Sequence, residues 1–306
     1  MPLNITLVPQ MPPVSIASDA ALVVPLLAVK VTLFMCWLRH TPHIGRWTVI
    51  KDPNGIESIF WSQVRGRKFE GSQPQNLPTD KVRATFVMTR ADVQNLKKWV
   101  STQLPTLSHV STFTVTCAYI WSCMIKARAI SREEVGEDEL EHFVVRANCR
   151  ALLVPPIPST YLGNCLARCF ATTKSTQLIG EDGFLIAAGV IGKAIRERVR
   201  NEEGVLKGAE KWISDYEALK RERVVGIAGS PKFAIYDIDF GWGKPKKNEV
   251  ISIDITGLMS LNECRDAVGD LEVGLSFPRI KMEAFAAIFS NGLSKVPSLG
   301  TYASNN

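Results

Sequence analysis

The sequence predicts a protein of the α/β class, with helices and strands arranged in α+β layers. Apolar residues recur at helical spacing at Val93, Leu96 and Trp99 and again between Phe184 and Val199, which predicts two amphipathic helices. Runs rich in β-branched residues, such as Leu271 to Phe277, predict strands that are mostly not joined as hairpins. Hydrophobic residues at 46% and charged residues at 22% are typical of a globular protein and exclude disorder as its main state.

The length and charge of the chain set broad limits on its function. A chain of 306 residues is long enough for two domains or one large one. Its 36 basic and 30 acidic residues leave a net charge of only +6, which excludes a dedicated nucleic-acid binder. This weak basic excess favours a modestly anionic ligand.

The cysteines predict neither a metal site nor a disulfide framework. There are seven, an odd number, and no two of them form a CxxC pair. We therefore expect buried free thiols in a reducing compartment. The N-terminus shows no secretory signal pattern, and Pro25 and Lys30 interrupt the apolar stretch from Ala20 to Leu38, so we predict no membrane span.

The first half of the chain carries clear signals for individual elements. Leu22 to Phe34 predicts one or two buried strands, and Gly66 to Thr79 predicts a solvent-exposed crossover. Thr89 and Asp92 have the spacing of a capping box, which predicts a helix that ends before Pro105. Ser111 to Arg128 predicts a core helix.

The second half alternates between the two kinds of element. Phe143 to Arg150 predicts a strand, and the helix from Phe184 is expected to continue to Arg223 with breaks near two glycines. Three strands are then predicted, followed by a final helix. These elements are Lys232 to Phe240, Glu249 to Ile255, Leu271 to Phe277, and the helix Lys281 to Phe289 stopping at Gly292.

Two short motifs stand out from this background. Asp239 to Pro245 (DFGWGKP) places glycines on both sides of a tryptophan, and physical reasoning favours a tight turn with a packed tryptophan. Tyr161 to Cys165 (YLGNC) contains a thiol, but no histidine and carboxylate are placed beside Cys165, so we do not predict a nucleophile there. The basic cluster of Lys244, Lys246 and Lys247 is interpreted as part of a solvated turn and not as a phosphate site.

These motifs resemble those of a known enzyme family. DFGWGKP resembles the C-terminal signature of the plant BAHD acyltransferases, which transfer an acyl group from a coenzyme A thioester to an alcohol or amine. YLGNC is similar to the YFGNC signature of the branch that acylates anthocyanin, flavonoid and phenolic glucosides, often with malonyl-CoA. The resemblance extends nearly continuously from residue 46 to about residue 293, and residues 5 to 34 form a second block of resemblance. It implies the two-domain chloramphenicol acetyltransferase-like fold.

The resemblance also implies a catalytic group that this sequence lacks. In the family, the histidine of an HxxxD motif acts as the general base. None of the four histidines has an aspartate four positions later. The residues at those positions are Ile44 for His40, Trp47 for His43, Phe113 for His109 and Arg146 for His142. We therefore predict no catalytic residue, and we interpret His40 and His43 as solvated loop residues.

The missing motif bears on the predicted domain organisation. By resemblance, residues 1–75 are a remnant of the N-terminal acyltransferase domain and the start of the crossover, and residues 76–306 are the C-terminal domain. The first helix of the second region could belong to the N-terminal half. Family members are monomeric, whereas a truncated N-terminal domain would expose apolar surface and favour self-association.

The resemblance implies roles for a few residues of this sequence. Asp239, Phe240, Gly241, Trp242 and Gly243 form the structural motif, and Asp239 is expected to pair with Arg150. The resemblance places the nucleotide end of coenzyme A near Ser111 and Thr112, although ordinary helix capping explains these two residues equally well. Lys126 is a weaker candidate for the same site.

The resemblance completes the functional expectation. It implies acyl-CoA, most simply malonyl-CoA, as a co-substrate, with no permanently bound cofactor, and a phenolic or flavonoid glucoside as the acceptor. It implies a cytosolic protein without a nucleic-acid or membrane partner. Two hypotheses stay open: an acyl-CoA-dependent O-acyltransferase, and a catalytically inactive truncated form or pseudoenzyme that lacks the HxxxD base.

Overall fold

The computed structural model describes most of the chain from residue 55 onward. The described ranges are 55–64, 80–107, 110–131, 136, 138–159, 161 and 165–296, together with a two-stranded antiparallel pair, β1 (Ser15–Ile16) and β2 (Leu22–Val23). Of the strands predicted between Leu22 and Phe34, only Leu22–Val23 is described. The crossover predicted at Gly66 to Thr79 lies outside the described residues.

The remaining elements alternate between helices and strands, as expected for a mixed fold. In chain order they are α1 (Ile56–Val64), β3 (Lys81–Met88), α2 (Arg90–Gln103), α3 (Thr112–Ile130), β4 (Leu140–Asn148), β5 (Leu166–Lys174), α4 (Ser175–Ile179), α5 (Gly183–Val199), α6 (Trp212–Glu217), β6 (Val224–Ala228), α7 (Ile253–Thr256), β7 (Met259–Glu263), β8 (Leu271–Pro278) and α8 (Arg279–Lys295).

Six of these strands form one mixed sheet in the order β3-β8-β7-β6-β4-β5. The pairs β3/β8, β8/β7 and β4/β5 are antiparallel, whereas β7/β6 and β6/β4 are parallel. Phe143 on β4 lies between Ala171 on β5 and Val225 on β6. This sheet confirms the predicted mixed α/β class.

Helix α3 occupies the centre of the hydrophobic core. Nearly all its side chains from Thr114 to Arg128 are buried, because α2, α5 and α8 pack around it and the sheet lies beside it. Trp121 is fully buried, with its ring centroid 5.4 Å from that of Phe143 on β4. A helix surrounded on all sides needs no polar face, which explains why its apolar pattern is not strongly periodic.

The capping box at the start of α2 is confirmed. The Thr89 hydroxyl accepts a hydrogen bond from the Asp92 amide at 3.1 Å, and the Asp92 carboxylate accepts one from the Thr89 amide at 2.9 Å. Helix α2 ends at Gln103, before Pro105, as predicted. The predicted core helix, the strand from Phe143, the helix from Phe184 and the strand from Leu271 are also present as α3, β4, α5 and β8.

The two strands predicted around the DFGWGKP motif are wrong. Residues Pro231–Phe233 and Ile235–Asp237 form short 3-10 turns, and Ile253–Thr256 is a helix. Pro231 cannot donate to a strand ladder, and Ala234 adopts a left-handed conformation with φ of 48°, so an extended run cannot form.

Two predicted helix ends also differ from the structure. The helix from Phe184 ends at Val199, and the chain then forms short helical turns and α6 before Arg223. Helix α8 continues through Gly292 to Lys295. The glycine is required there for space, since a Cβ at this position would overlap the Tyr119 hydroxyl oxygen.

Six cysteines fall within the described residues, and all six are free thiols. Five are buried and Cys264 is half-buried, while Cys36 lies outside the described residues. In the described part of the chain, no helix is long and apolar enough to cross a membrane. Likewise, no group of three or more histidine, cysteine or acidic side chains there is arranged to hold a metal ion.

Candidate functional site

A cavity of about 170 Å³ opens between the start of α3 and the C-terminal half of α5. Its walls combine hydroxyl, guanidinium and aliphatic groups. The lining residues are Leu107, Ser111, Thr114, Gly192, Ile195, Arg196, Val199 and Arg200. Ser111, which the sequence singled out as a candidate coenzyme A contact, therefore lies at a cavity.

The start of α3 is capped by Ser111. Its hydroxyl accepts a hydrogen bond from the Thr114 amide at 3.0 Å and shares another with the Thr114 hydroxyl at 2.8 Å. Helix geometry gives the amides of Thr112 and Phe113 no intrahelical acceptor, so they are the groups that an anion would meet. Capping and anion binding are therefore compatible. Capping uses the Ser111 hydroxyl and the Thr114 amide, whereas an anion would bind the amides of Thr112 and Phe113.

Two arginines give this cavity a positive wall. Arg196 and Arg200 are spaced one turn apart at the end of α5 and both line the cavity. Guanidinium groups form strong, directional hydrogen bonds with phosphate and carboxylate, and the helix N-terminus adds a favourable dipole. The sequence predicts Arg196 and Arg200 on the outer side of this helix, but it does not identify them as ligand-binding residues. Lys126, the weaker candidate, is not among the lining residues.

The DFGWG motif forms the predicted tight turn. Gly241 and Gly243 have φ of 94° and 93°, a region that favours glycine. The Asp239 carboxylate accepts hydrogen bonds from the Gly241 amide at 2.7 Å and the Gly243 amide at 3.0 Å. However, Trp242 is 84% exposed, so the prediction of a packed tryptophan is wrong, and Phe240 is also exposed.

In the described contacts, Arg150 and Asp239 each bind other groups and not one another. Arg150 donates to the Asn148 side-chain oxygen at 3.1 Å and to the Tyr161 carbonyl at 3.4 Å. Asp239 accepts from its own turn, as described above. The Arg150–Asp239 ion pair therefore stays a prediction.

Two lysines that follow the turn have acidic partners, one near in sequence and one on β8. Lys244 is bonded to Asp237 at 2.8 Å, and Lys247 lies 3.9 Å from Glu272. These contacts are consistent with the interpretation of a solvated turn.

His142 is the one histidine within the described residues. It lies on β4 and shares a hydrogen bond of 2.9 Å between its Nδ1 and the Thr172 hydroxyl on the neighbouring β5. Burial lowers its pKa, so the ring is neutral near pH 7. This environment indicates a role in packing. His40, His43 and His109 lie outside the described residues.

A second cavity, of about 100 Å³, lies between the sheet and the residues that follow the DFGWG turn. Its polar lining includes Thr85, Asn248, Ser260, Asn262 and Glu272. Within the described structure, the buried Asn248 Nδ2 and Asn262 Oδ1 have no hydrogen-bond partner. One of these atoms is a donor and the other an acceptor, and both are shielded from solvent, so a ligand hydroxyl would reach them only after the lining side chains move.

Three charged side chains line this second cavity: Arg83 and Glu272 have charged partners in Asp254 and Lys247, and the third is Glu249. Arg83 forms an ion pair with Asp254, and the Glu272 carboxylate accepts a hydrogen bond from the Tyr236 hydroxyl at 3.2 Å. A neutral, hydroxyl-bearing ligand fits such a lining better than an anion does. The two cavities therefore differ in the chemistry that they favour.

The chain is similar in sequence to plant acyltransferases. Residues 41–291 match the model of a family described as the Transferase family. The chain is 48% identical to malonyl-coenzyme A:anthocyanin 3-O-glucoside-6''-O-malonyltransferase of Dahlia pinnata, over 80% of this chain and 53% of that protein. It is 45% identical to phenolic glucoside malonyltransferase 1 of Nicotiana tabacum, over 81% of this chain and 55% of that protein. The chain thus spans about half the length of these curated relatives.

The fold agrees with the sequence match. The structure superposes on that of vinorine synthase with a TM-score of 0.56 and 21% identity, covering 72% of this chain and 49% of the other. This likeness supports the predicted fold class. The chain belongs to this transferase family, that of the BAHD acyltransferases.

Proposed function

We propose that this chain belongs to an acyl-CoA-dependent O-acyltransferase that transfers a malonyl group to a hydroxyl of a phenolic or flavonoid glucoside. The observation that carries the proposal is the 48% and 45% identity to two malonyltransferases that are named for such acceptors. The aligned region includes both the α3 cavity and the DFGWG turn.

The α3 cavity is the proposed contact for the phosphates of acyl-CoA. Ser111 and Thr112 place a helix N-terminus beside it, and Arg196 and Arg200 supply two positive side chains on the opposite wall. Coenzyme A carries several phosphate charges, so it matches this wall far better than the second cavity, which is lined by two glutamates and one arginine. Lys126 does not line this cavity, so its charge would attract the phosphates only at longer range.

The second cavity is the proposed contact for the neutral acceptor. Once the lining side chains move to admit a ligand, the shielded Asn248 and Asn262 amide atoms would each gain a hydrogen bond from a sugar hydroxyl. Such contacts position a ligand, but they do not remove a proton from it.

The proton-transfer step has no HxxxD histidine among the 306 residues. General-base catalysis typically contributes about 10²- to 10⁴-fold to the rate. As the second candidate function, we therefore propose that this polypeptide by itself binds acyl-CoA but transfers no malonyl group above the uncatalysed rate. Asp239 shapes the turn through two amides, so it is a structural residue in this proposal and not a substitute base.

Calorimetric titration with malonyl-CoA tests the binding part of the proposal. We expect saturable binding that weakens with salt, and at least a tenfold loss in Arg196→Ala and Arg200→Ala. Lys193→Ala is the matched control, because this lysine lies on the same helix but pairs with Glu197 at the surface and does not line the cavity. Equal binding by all three variants would rule out the α3 cavity.

A turnover assay with malonyl-CoA and a flavonoid glucoside separates the two candidate functions. No product is expected from the 306-residue chain if the base is lacking. Product formation that is abolished by His40→Ala or His43→Ala would instead establish an active enzyme with an unrecognised base.

The domain organisation and cellular setting belong to the same proposal. We place the domain boundary near residue 76 and the protein in the cytosol, in line with the family. The exposed Phe233, Phe240, Trp242 and Ile251 support self-association of this chain. Light scattering after gel filtration would test this, and a monomer that binds no hydrophobic dye would contradict it.

A further inference from the structure

Two cysteines face each other where β4 ends and β5 begins. The last pair in the β4/β5 ladder is Asn148 with Leu166, so Cys149 and Cys165 are the next residues in register. The Cys149 amide donates a hydrogen bond to the Cys165 carbonyl at 3.0 Å. The two sulfur atoms are 3.5 Å apart.

This arrangement is close to that of a disulfide. Directly opposed residues of the hydrogen-bonded type have Cα atoms about 5.5 Å apart, which falls within the range that disulfides prefer. The sulfur atoms can therefore approach to bonding distance by side-chain rotation alone. By contrast, Cys169 on β5 lies opposite Val145 on β4 and has no cysteine across the ladder.

We propose that Cys149 and Cys165 form a reversible disulfide when the protein meets a small hydroperoxide. The bridge would join the two ends of the segment 150–164, which contains Arg150 and Tyr161. It would also fix the edge of a small apolar cluster in which Cys149, Cys165, Tyr161 and Trp212 are all buried. This modification is independent of the proposed acyl transfer.

The chemistry balances with hydrogen peroxide as the oxidant. The Cys165 thiolate, the more exposed of the two, attacks one peroxide oxygen, so that an S–O bond forms, the O–O bond breaks and hydroxide leaves to become water. The Cys149 thiolate then attacks the sulfenic sulfur. The S–S bond forms, the S–O bond breaks and a second water leaves, so two thiols lose two electrons and two protons in total.

The surroundings predict a slow reaction that requires a small oxidant. Cys149 and Cys165 are only 2% and 7% exposed. Burial and, after it, the neighbouring Cys165 raise the pKa of the Cys149 thiol to about 12, although the positive charge of Arg150 partly opposes them. Because the thiolate is the reactive form, oxidation should accelerate between about pH 7 and about pH 9.

Peptide mapping of the full chain under non-reducing conditions tests the proposal. After treatment with hydrogen peroxide we expect one peptide that links Cys149 to Cys165, with the loss of two hydrogen atoms, and its disappearance on addition of dithiothreitol. The yield should be higher at about pH 9 than at about pH 7. Absence of this peptide, or a bridge between other cysteines, would overturn the proposal.

Three variants and a stability measurement complete the test. Cys149→Ser and Cys165→Ser should abolish the link, whereas the matched control Cys169→Ser, a buried cysteine on the same strand, should retain it. In the unsubstituted protein and in Cys169→Ser, oxidation should move the urea midpoint upward, since the bridge restricts the unfolded chain. An unchanged midpoint despite the bridge would show that the bridge does not restrain this segment as proposed.

Discussion

The helical layer and the connecting segment of this protein contain similar side chains but use them differently. In the helical layer, formed by α2, α3, α5 and α8, large apolar side chains such as Trp121 are fully buried. In the connecting segment, residues 229–258 between β6 and β7, Phe240 and Trp242 are exposed. The apolar content of a segment therefore does not determine its burial; the elements packed against it do.

Different interactions shape the two regions. The helical layer is stabilised by removal of apolar surface from water and by close packing. The connecting segment contains only 3-10 turns and one short helix, and its shape depends on glycines with positive φ, the Asp239 turn and the Arg83–Asp254 ion pair. Each of these differences can be measured by substitution.

Two tryptophans provide the largest expected contrast. Trp121→Ala should lower the free energy of unfolding by about 3 to 5 kcal/mol, because it opens a cavity in the core. Trp242→Ala should change it by less than about 0.5 kcal/mol, since the ring is already in water. Urea unfolding followed by far-UV circular dichroism measures both values.

The control for this pair is the slope of the unfolding curve, which should be the same in both variants if unfolding stays cooperative. A cost above about 2 kcal/mol for Trp242→Ala would mean that its ring is covered in solution. The proposed self-association provides such a cover, so the measurement should be repeated at two protein concentrations.

Breaking a buried ion pair is expected to cause the second largest loss of unfolding free energy. Arg128 donates to Glu141 Oε1 at 2.5 Å, and both side chains are almost fully buried. Arg128→Met would remove the closest positive charge from this carboxylate and should cost about 3 kcal/mol, because Ser175 and Arg223 compensate only in part.

Lys174→Met is the matched control for this substitution. It removes an ion pair with Asp138 in which both side chains are exposed, so we expect it to cost much less than Arg128→Met does. If the two variants cost the same, the Arg128–Glu141 pair is not desolvated as the structure indicates.

The sequence predicted the helical layer well because its signals are local. Thr89 and Asp92 are three residues apart and form the predicted capping box, and Ser111 precedes the helix that it caps. The strand from Phe143 was predicted because its apolar and β-branched residues are contiguous. Each of these patterns can be observed within one element.

The connecting segment was mispredicted because its structure depends on backbone geometry and on distant partners. The run from Lys232 to Phe240 has strand-like residues, but the left-handed Ala234 interrupts it. Nothing near Gly292 in the sequence indicates that Tyr119, far along the chain, occupies the space beside it. For the same reason, the pairing of Arg196 and Arg200 with the start of α3 became visible only in the structure.

Glycine substitutions should change the free energy of unfolding by smaller amounts, and the sign of the change should depend on the position. Gly292→Ala should cost about 1 to 3 kcal/mol, because the new methyl group would overlap the Tyr119 hydroxyl. Gly189→Ala, within α5, should instead stabilise the protein by about 0.5 to 1 kcal/mol, since its nearest neighbour is 3.8 Å away. Gly241→Ala has open space but a φ of 94°, so backbone strain of about 1 to 3 kcal/mol is expected there.

A double variant shows which cause operates at Gly292. Adding Tyr119→Phe removes the hydroxyl and should recover part of the loss in Gly292→Ala, whereas it should recover nothing in Gly241→Ala. Thermal unfolding of the single and double variants provides the comparison. Full additivity at Gly292 would exclude the steric explanation.

The smallest expected effect concerns how the connecting segment is attached to the sheet. Arg83 on β3 is hydrogen-bonded to Asp254 on α7, and this contact lowers the pKa of Asp254 from its ordinary 3.8 to about 2. A carboxylate with a lowered pKa stabilises the folded state above its unfolded pKa and loses that contribution as the pH falls from about 4 to about 2. Because the Arg83 side chain is 42% exposed, the contribution is discounted to about 1 kcal/mol or less.

The test is the difference in unfolding free energy between the unsubstituted protein and Asp254→Asn, measured from about pH 5 down to about pH 2.5. Other carboxylates titrate in both proteins, so their effects cancel in the difference. The difference should shrink with acid, and Arg83→Met should abolish most of this pH dependence by removing the partner. A difference that stays constant over this range would mean that Arg83 does not hold Asp254 in solution, and that the connecting segment is attached to the sheet mainly by uncharged contacts.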